Sequence, residues 1–562
     1  MAALAKILGL RPLTARLLVR RGFTDEGAAN RFLQPRLGAL RSPGGFADLA
    51  RAIERIQTAL AEKQLVGVFG DYDVDGVTSA AVLTTGLRAL GASVLPRCAS
   101  RHAGYGFGMG AAKAFLDAGC KLVITADCGT SDHMSIGVLK DNAVDVVVID
   151  HHQVPEGNSP ALALINPHRS DDLFEFKGLA SCGLAFYLMS ALRSHLRAQG
   201  HALGTAWDPR ELLDLVAMGT IADVMPLQHE NRVLVSAGLR ALSTKPRPGV
   251  AALFKVAGIE PEKMITATDV GFKLSPRLNA AGRLGDAQLA LDLLLATDVA
   301  EAERLAQLLD EQNLKRRDIQ ETVMAAALLQ VEELIEQAGG NLPFALIVGD
   351  EGWHHGVVGI VAAKLVDRYA RPAIVVGFNQ GKGRGSARTI LGFNLYEALT
   401  HAGEHLEVFG GHAAAAGMTV THERFASFRA AFLHHTEKWF SQRPVATAVE
   451  VDAVVSFEDL NMNCAEELER LGPFGAANCE PLLAFPGVTV VSSRVVGTNH
   501  LLLTLSQGGA AFDAIGFGMA AAAPQTGEPI DVVGCFEVNE FRGARKLRLR
   551  VKHLFKPTGN AT

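Results

Sequence analysis

The stretch Leu65–Ser79, LVGVFGDYDVDGVTS, changes character twice within a few residues. LVGVF is apolar, rich in valine and followed by a glycine, which predicts a short buried strand. Asp71, Asp73 and Asp75 then alternate through a loop, and VTSAAVLTTGLRAL after Gly76 carries a helical pattern. The three acids admit several readings. One is a polar turn with solvated carboxylates. Another is calcium, because D-x-D-x-D-G opens an EF-hand loop. That loop needs a bidentate glutamate at its twelfth position, where this chain has Val82, and a helix where this chain has LVGVF. The remaining reading is a metal site at the end of a strand.

The neighbouring sequence favours the last. KLVITA, VDVVVI and ALALIN are further short β-branched runs, separated by helical segments, and the alternation predicts a parallel sheet with helices on its faces. In such sheets ligands bind beyond the carboxyl ends of the strands. KLVITA ends in Asp127, VDVVVI ends in Asp150, His151 and His152, and the helical run ELLDLVAMGTIADVMPL carries Asp223 near its end. Taken singly, each acid fits a cap or a turn. Together they would repel unless cations joined them. Carboxylates with one or two imidazoles suit Mn²⁺ or Mg²⁺ better than zinc, and two such ions form a clamp for phosphoryl chemistry.

A length of 562 residues predicts roughly three or four domains. The net charge of −5 weighs against a protein that coats DNA through a global basic field. None of the seven cysteines forms a C-x-x-C pair, which argues against a zinc ribbon or a disulfide framework and fits a reducing cytoplasm. No apolar run reaches the ~18 residues of a membrane span. The Arg-rich start MAALAKILGLRPLTARLLVRRGF fits a presequence or a folded helical segment. It lacks serine and runs straight into RGFTDEGAANRFLQPRLGAL, so it is read as structure.

Residues 1–60 read as short helices. Asp298–Gln337 contains no Gly or Pro and repeats Leu and Ala at helical spacing. It predicts one helix of up to ~40 residues, ~60 Å long, of the kind that bridges domains. FALIVGDEGWHHGVVGIVAAKLVDRYARPAIVVGF opens a second α/β unit, and the short strands from about 445 to 556 predict a small β-barrel.

GDYDVDGVTS, ADCGTSD, IDHH and TIADVMPL resemble, in order, the motifs of the DHH phosphoesterase superfamily, named for the triplet at Asp150-His151-His152. RGFTDEGAANRFLQP, SPRLNAAGR, GWHHGVVGIVAAKL, GSART and GGHAAAAG extend the resemblance to the RecJ single-strand-specific DNA exonucleases over most of residues 20–555. The resemblance implies an α/β fold of two units, a DHH domain with a parallel sheet (61–230) and a DHH-associated domain (341–440). They would follow an N-terminal helical segment (1–60), be joined by a helical connector with the long helix (231–340), and precede an OB-like barrel (445–556). It implies metal ligation by Asp73, Asp75, Asp127, His151 and Asp223, with Asp127 bridging two Mn²⁺ or Mg²⁺ ions and His152 facing the scissile phosphate. The superfamily's pyrophosphatases carry a ligating histidine where this chain has Phe69, so Asp71 stands as a substitute ligand or a supporting acid. Gly76 would permit a tight turn into the next helix.

Substrate contacts are expected from Arg101, Arg277, Asn279, Arg283, Ser386 and Arg388, with Lys382 and Arg384 nearby. Gly410, Gly411 and His412 stand before an alanine-rich run read as a helix start, a phosphate site by its exposed N–H groups. A solvated basic turn, close glycine packing or structural ion pairs are the alternatives for these motifs. His354 and His355 read as structural or substrate-facing. In KLRLRVK basic and apolar residues alternate, which puts Lys546, Arg548, Arg550 and Lys552 on one face of a strand. That face is a candidate DNA surface, or an edge strand protected by charge.

The function implied is a 5′-to-3′ exonuclease on single-stranded DNA, releasing nucleoside 5′-monophosphates by two-metal hydrolysis in repair and recombination. A helicase and a single-stranded-DNA-binding protein are the implied partners. The alternatives are a phosphodiesterase on short oligonucleotides or cyclic dinucleotides, and a non-catalytic DNA-binding relative.

Overall fold

The computed structural model describes residues 2–100, 104, 106–260, 262–442, 449–541 and 544–557. β1 (Leu65–Gly70), β2 (Ser93–Cys98), β3 (Leu122–Ala126), β4 (Asp145–Ile149) and β5 (Ala163–Ile165) form an all-parallel sheet in the order β2-β1-β3-β4-β5. Both faces are covered, which is why its inner strands are continuous apolar runs. Val66, Val68, Ile124 and Val147 pack on one side under the helices Leu49–Ala61, Val74–Ala89 and Ser181–Ala198. Phe69, Val123 and Val148 pack on the other against Phe107 and Phe115. The first core does not stop at residue 230. Leu234, Leu253, Leu278 and Leu294 belong to it, so the segment expected as a connector is largely part of the first body.

The long helix is Val299–Gln337, 39 residues, with Asp298 accepting from Glu301 N at 2.9 Å as its N-cap. Its first turns bury Ala302, Leu305 and Leu309 in the first core, and Val323, Ala327 and Val331 belong to a second core. Between them Arg316 donates to buried Asn313 and Gln320 at 2.6 and 2.7 Å, satisfying two polar groups where the helix passes from one body to the next.

The second unit holds β6 (Leu346–Glu351), β7 (Ala373–Asn379), β8 (Lys382–Arg388), β9 (Val408–Gly411) and β10 (Ala415–Thr421) in the order β6-β7-β8-β10-β9, with only β6 and β7 parallel. The C-terminal unit holds β11 (Ala453–Val454), β12 (Leu483–Val496), β13 (His500–Gln507), β14 (Ala510–Gly516), β15 (Pro529–Phe541) and β16 (Ala544–Phe555). Pairing runs β12-β13-β14-β16-β15 and returns to β12, closing a five-stranded barrel around Phe485, Leu503 and Leu549.

The N-terminal helices Ala2–Leu8, Pro12–Arg20 and Glu26–Leu33 pack on this barrel rather than on the sheet beside them in sequence. Leu17, Leu18 and Phe32 share its core with Phe457 and Leu471, and Glu467 accepts from Arg11 N at 2.9 Å and Thr14 Oγ1 at 2.6 Å. Arg232, on the helix His229–Thr244, ties this body to the first. It is 3% exposed, stacks 3.7 Å over Phe32, and donates to the carbonyls of Phe32, Leu471 and Gly472 at 2.8, 3.0 and 2.6 Å.

Candidate metal centre and substrate cleft

β1, β3 and β4 lie side by side, so their carboxyl ends open at one edge of the sheet. The ladder continues one residue past each strand: Asp71 N donates to Ala126 O at 3.2 Å, and Asp127 N to Ile149 O at 3.0 Å. This fixes where the acids emerge. Asp73 caps the helix Val74–Ala89, its Oδ1 accepting from Asp75 N and Gly76 N at 3.0 and 3.2 Å. Asp75 is buried at the start of that helix and accepts from Ser181 N and Cys182 N, at 2.7 and 3.0 Å, at the head of the helix Ser181–Ala198. Asp127 sits at φ 63, a left-handed conformation that aspartate tolerates better than most residues. Asp223 is the C-cap of the helix Leu213–Ala222.

These groups converge. His151 Nε2 lies 3.2 Å from Asp127 Oδ1, 3.5 Å from Asp223 Oδ2 and 4.0 Å from Asp75 Oδ2. Ligand atoms of Asp71, Asp73 and Asp127 lie within 4.8 Å of one another, as do those of Asp127, His151 and His152, and those of Asp75, His151 and Asp223. Asp127 therefore belongs to two of these three groups. His152 Nδ1 is tied to Asp150 Oδ1 at 2.7 Å. Against the pull of burial, that bond raises the His152 pKa to about 9.

The electrostatics call for cations. Burial pushes Asp127 well above the usual carboxylate range, and repulsion from Asp73, Asp75, Asp71 and Asp223 adds to it. Burial, then Asp75 and Asp73, lift Asp223 to about 8. Asp223 Oδ2 is buried and accepts no hydrogen bond among the described residues. Burial lowers the His151 pKa, which keeps its imidazole in the neutral, ligating form. Oxygen donors with a neutral imidazole match divalent cations of the Mn²⁺ or Mg²⁺ kind.

Glycine serves close approach here, not turn geometry. Gly76 lies inside the helix, and a Cβ there would strike the Asp71 backbone; a Cβ on Gly282 would strike the Tyr72 carbonyl. The expected tight turn at Gly76 gives way to this packing.

The acids face a cleft of about 880 Å³ between the two α/β units. Asp73 and Asp223 line one side with Asn279 and Arg283, and His355, Arg384, Ser386, Arg388 and Gly410 line the other. Arg388 donates to Ser386 Oγ at 2.9 Å and to Ala387 O at 2.8 Å, and neither it nor Arg384 has an ion-pair partner among the described residues. Gly359 leaves room for them, since a Cβ there would come within 3.0 Å of Ser386 Oγ and 3.3 Å of Arg388 Nη2. Sequence reasoning missed Tyr72, Val224 and Phe409 in the lining. Tyr72 had a signal, its place between two candidate ligands.

Several expected contacts change. Arg277 does not line the cleft. It pairs with Asp310 at 2.8 Å and donates to Lys273 O and Val256 O, fastening its helix to the long helix. It stands two residues from Asn279, hence on the opposite side of the helix Ser275–Leu284, whereas Arg283 is four residues on and shares Asn279's face. GSART is the end of strand β8, not a turn. GGHAAAAG is the β9–β10 hairpin, closed by His412 N to Ala415 O at 2.8 Å, so no helix begins there. Only Gly410 of that trio lines the cleft, and Gly411 and His412 form the turn beyond it. Arg101 lies outside the described residues. On β16, Arg548 pairs with Glu537 at 2.6 Å, and Arg550 pairs with Glu537 at 3.0 Å and with Glu480. Their charges are neutralised, which leaves Lys546 and Lys552 as the cations of that face without an ion-pair partner among the described residues.

The DHH family N-terminal domain model matches residues 65–220, the DHHA1 domain model residues 340–440, and the RecJ OB domain model residues 451–553. The chain is 35% identical to the single-stranded-DNA-specific exonuclease RecJ of Bacillus subtilis (strain 168), over 98% of this chain and 69% of that protein. It is 37% identical to the RecJ of Dickeya dadantii (strain 3937), over 97% and 96%. The crystal structure of RecJ in complex with Mn²⁺ from Thermus thermophilus superposes with a TM-score of 0.81 at 30% identity, covering 99% of this chain and 78% of that one. The same protein in complex with Mg²⁺ gives 0.75 at 28%, covering 99% and 76%. No helix among the described residues is long and apolar enough to cross a membrane.

Proposed function

We infer the reaction from one premise: the chain belongs to the RecJ family of single-stranded-DNA-specific exonucleases. We propose that it removes nucleotides from the 5′ end of single-stranded DNA and releases nucleoside 5′-monophosphates. The observation that carries this reading is the pair of facing walls, a crowded acidic cluster on one and, on the other, a basic pair without a carboxylate partner among the described residues. Two divalent cations, when bound, supply positive charge against the phosphodiester and lower the pKa of water.

The chain's own groups do the rest. Asp73, Asp75, Asp127, His151 and Asp223 would hold the cations, with Asp71 beside Asp73 and Asp127 as a supporting acid. Asp150 orients His152, which faces the scissile phosphate. Arg388, Ser386 and the Gly410 backbone bind the terminal phosphate, and Arg384, Arg283 and Asn279 flank the chain. Anchoring a phosphate opposite the acids sets the distance from the 5′ end to the cut, which favours mononucleotide products. The cleft between the units admits one strand and excludes a duplex. The barrel holds the remaining strand, on the 3′ side of the cut, through Lys546 and Lys552. We further propose a cytoplasmic role in repair and recombination beside a helicase and a single-stranded-DNA-binding protein.

Digestion of a strand labelled at either end, with Mn²⁺, tests the polarity. Early release of 5′ label as mononucleotide supports it; early release of 3′ label rejects it.

A further inference from the structure

A second cluster of ligating groups lies in the DHH-associated unit, and none of its residues lines the cleft. Glu397 and His401 stand four residues apart on the helix Leu395–His401, so they share a face. His435 meets them from the helix His422–Ser441. The rings of His401 and His435 stack with centroids 4.4 Å apart and 29° between planes. Ligand atoms of all three residues lie within 4.8 Å of one another.

We propose that Glu397, His401 and His435 form a second metal site, of the zinc class, that fastens these two helices together. The donor set differs in kind from the acidic cluster. Two imidazoles and one carboxylate with an open fourth position are a zinc set, whereas crowded carboxylates are not. Tetrahedral zinc with bonds of ~2.0–2.1 Å places its ligand atoms about 3.3 Å apart. Glu397 and His401 are exposed and free to close that gap by rotamer change, while His435 is half-buried and held in place. Phe393 packs edge-on to His435 at 6.3 Å and 74°, and Trp439 packs against Phe393. Asn394 caps the first helix at Glu397 N, so the carboxylate starts from an ordered turn.

The position has a consequence for the cleft. Between the two helices the chain forms β9 and β10, and Gly410 of β9 belongs to the cleft wall. A metal joining the helices pins both ends of that hairpin and stiffens the wall without touching the reacting atoms.

The full chain, stripped with a chelator, is titrated with Zn²⁺ alone by calorimetry and followed by thermal melting, alongside His401→Ala and Glu397→Gln. Both positions are exposed, so neither substitution opens the core. The acidic cluster is present in all three proteins, so the difference between them counts the second site. Wild type should take one more equivalent of Zn²⁺ than His401→Ala, and Glu397→Gln should bind that equivalent at least tenfold more weakly. Co²⁺ should give the visible absorption of a four-coordinate ion at this site in wild type, absent in His401→Ala. Equal stoichiometry and equal melting shifts in wild type and His401→Ala would overturn the proposal and leave the histidines as a stacked pair.

Discussion

Replacing Arg232 with methionine should uncouple the barrel from the first body. Methionine keeps much of the volume and an apolar contact with Phe32 but donates nothing. The carbonyls of Phe32, Leu471 and Gly472 then lose donors at 2.8, 3.0 and 2.6 Å, in a place where the arginine is 3% exposed. Hydrogen bonds to a charged group contribute about 1.5–3 kcal/mol each, and a buried acceptor left alone costs about 1–3 kcal/mol. Against this, Arg232 has no carboxylate partner among the described residues, and burial pulls its pKa down to about 9, so holding the cation there is itself a cost. Repacking recovers part of the loss. The net expectation is roughly 3–5 kcal/mol, the part of the loss over three buried carbonyls that repacking and the removed burial cost of the cation do not recover. Differential scanning calorimetry should show one transition for wild type and two for Arg232→Met, the earlier belonging to the barrel with the N-terminal helices. Hydrolysis of very short oligonucleotides should stay within about twofold of wild type at 20 °C. A single transition shifted by less than about 1 kcal/mol would refute the reasoning and mean that water replaces the guanidinium.

Asp127→Asn should abolish cleavage while retaining binding of single strands. Because the substitution removes one of several repelling carboxylates, its melting temperature in chelator should exceed that of wild type, with the order reversed in Mn²⁺; the same order in both conditions would show that Asp127 holds no cation. Arg388→Ala should cost ~1.5–3 kcal/mol in kcat/KM on strands with a 5′-phosphate and much less on strands with a 5′-hydroxyl, and an equal loss on both would mean that it reads no terminal phosphate. Lys546→Glu with Lys552→Glu should flatten the dependence of log affinity on log salt for long strands, whereas Arg548→Gln should not, since that charge is already paired with Glu537. An unchanged slope in the lysine pair would turn the barrel into a protein-docking module.

The convergence of the acids was legible because its signal is local. Strands β1, β3 and β4 announce themselves as apolar runs, and each ends on its acid. The long helix was equally plain, since neither glycine nor proline interrupts it. Strand β2 escaped notice because it is a half-exposed edge strand with Pro96 inside. Strand β8 reads as a turn because of its glycines, and the reason for them is packing: a Cβ on Gly383 or Gly385 would press on Phe378 or Val376. The start of β10 reads as a helix because alanine fills it. Charge on β16 was misjudged for a different reason. Glu480 lies 70 residues from Arg550, and no pattern within KLRLRVK reveals it. Arg277 was within reach of helical geometry, which separates it from Asn279 and Arg283. The union of the first helices with the barrel had no local signal at all, since Thr14 and Glu467 are 453 positions apart.

That union sets a clock on the chain's own synthesis. Leu17, Leu18 and Phe32 leave the ribosome early, but the barrel that buries them is complete only when β16 has emerged, about 500 residues later. At roughly 5–20 residues per second the wait is on the order of half a minute to nearly two minutes. The two α/β units have time to fold in between. Throughout, the nascent chain carries these apolar residues without the barrel that buries them, a natural client for holdase chaperones. A chain cut short before β16 would keep that end exposed, so premature termination should yield an aggregating fragment even where the metal centre has formed.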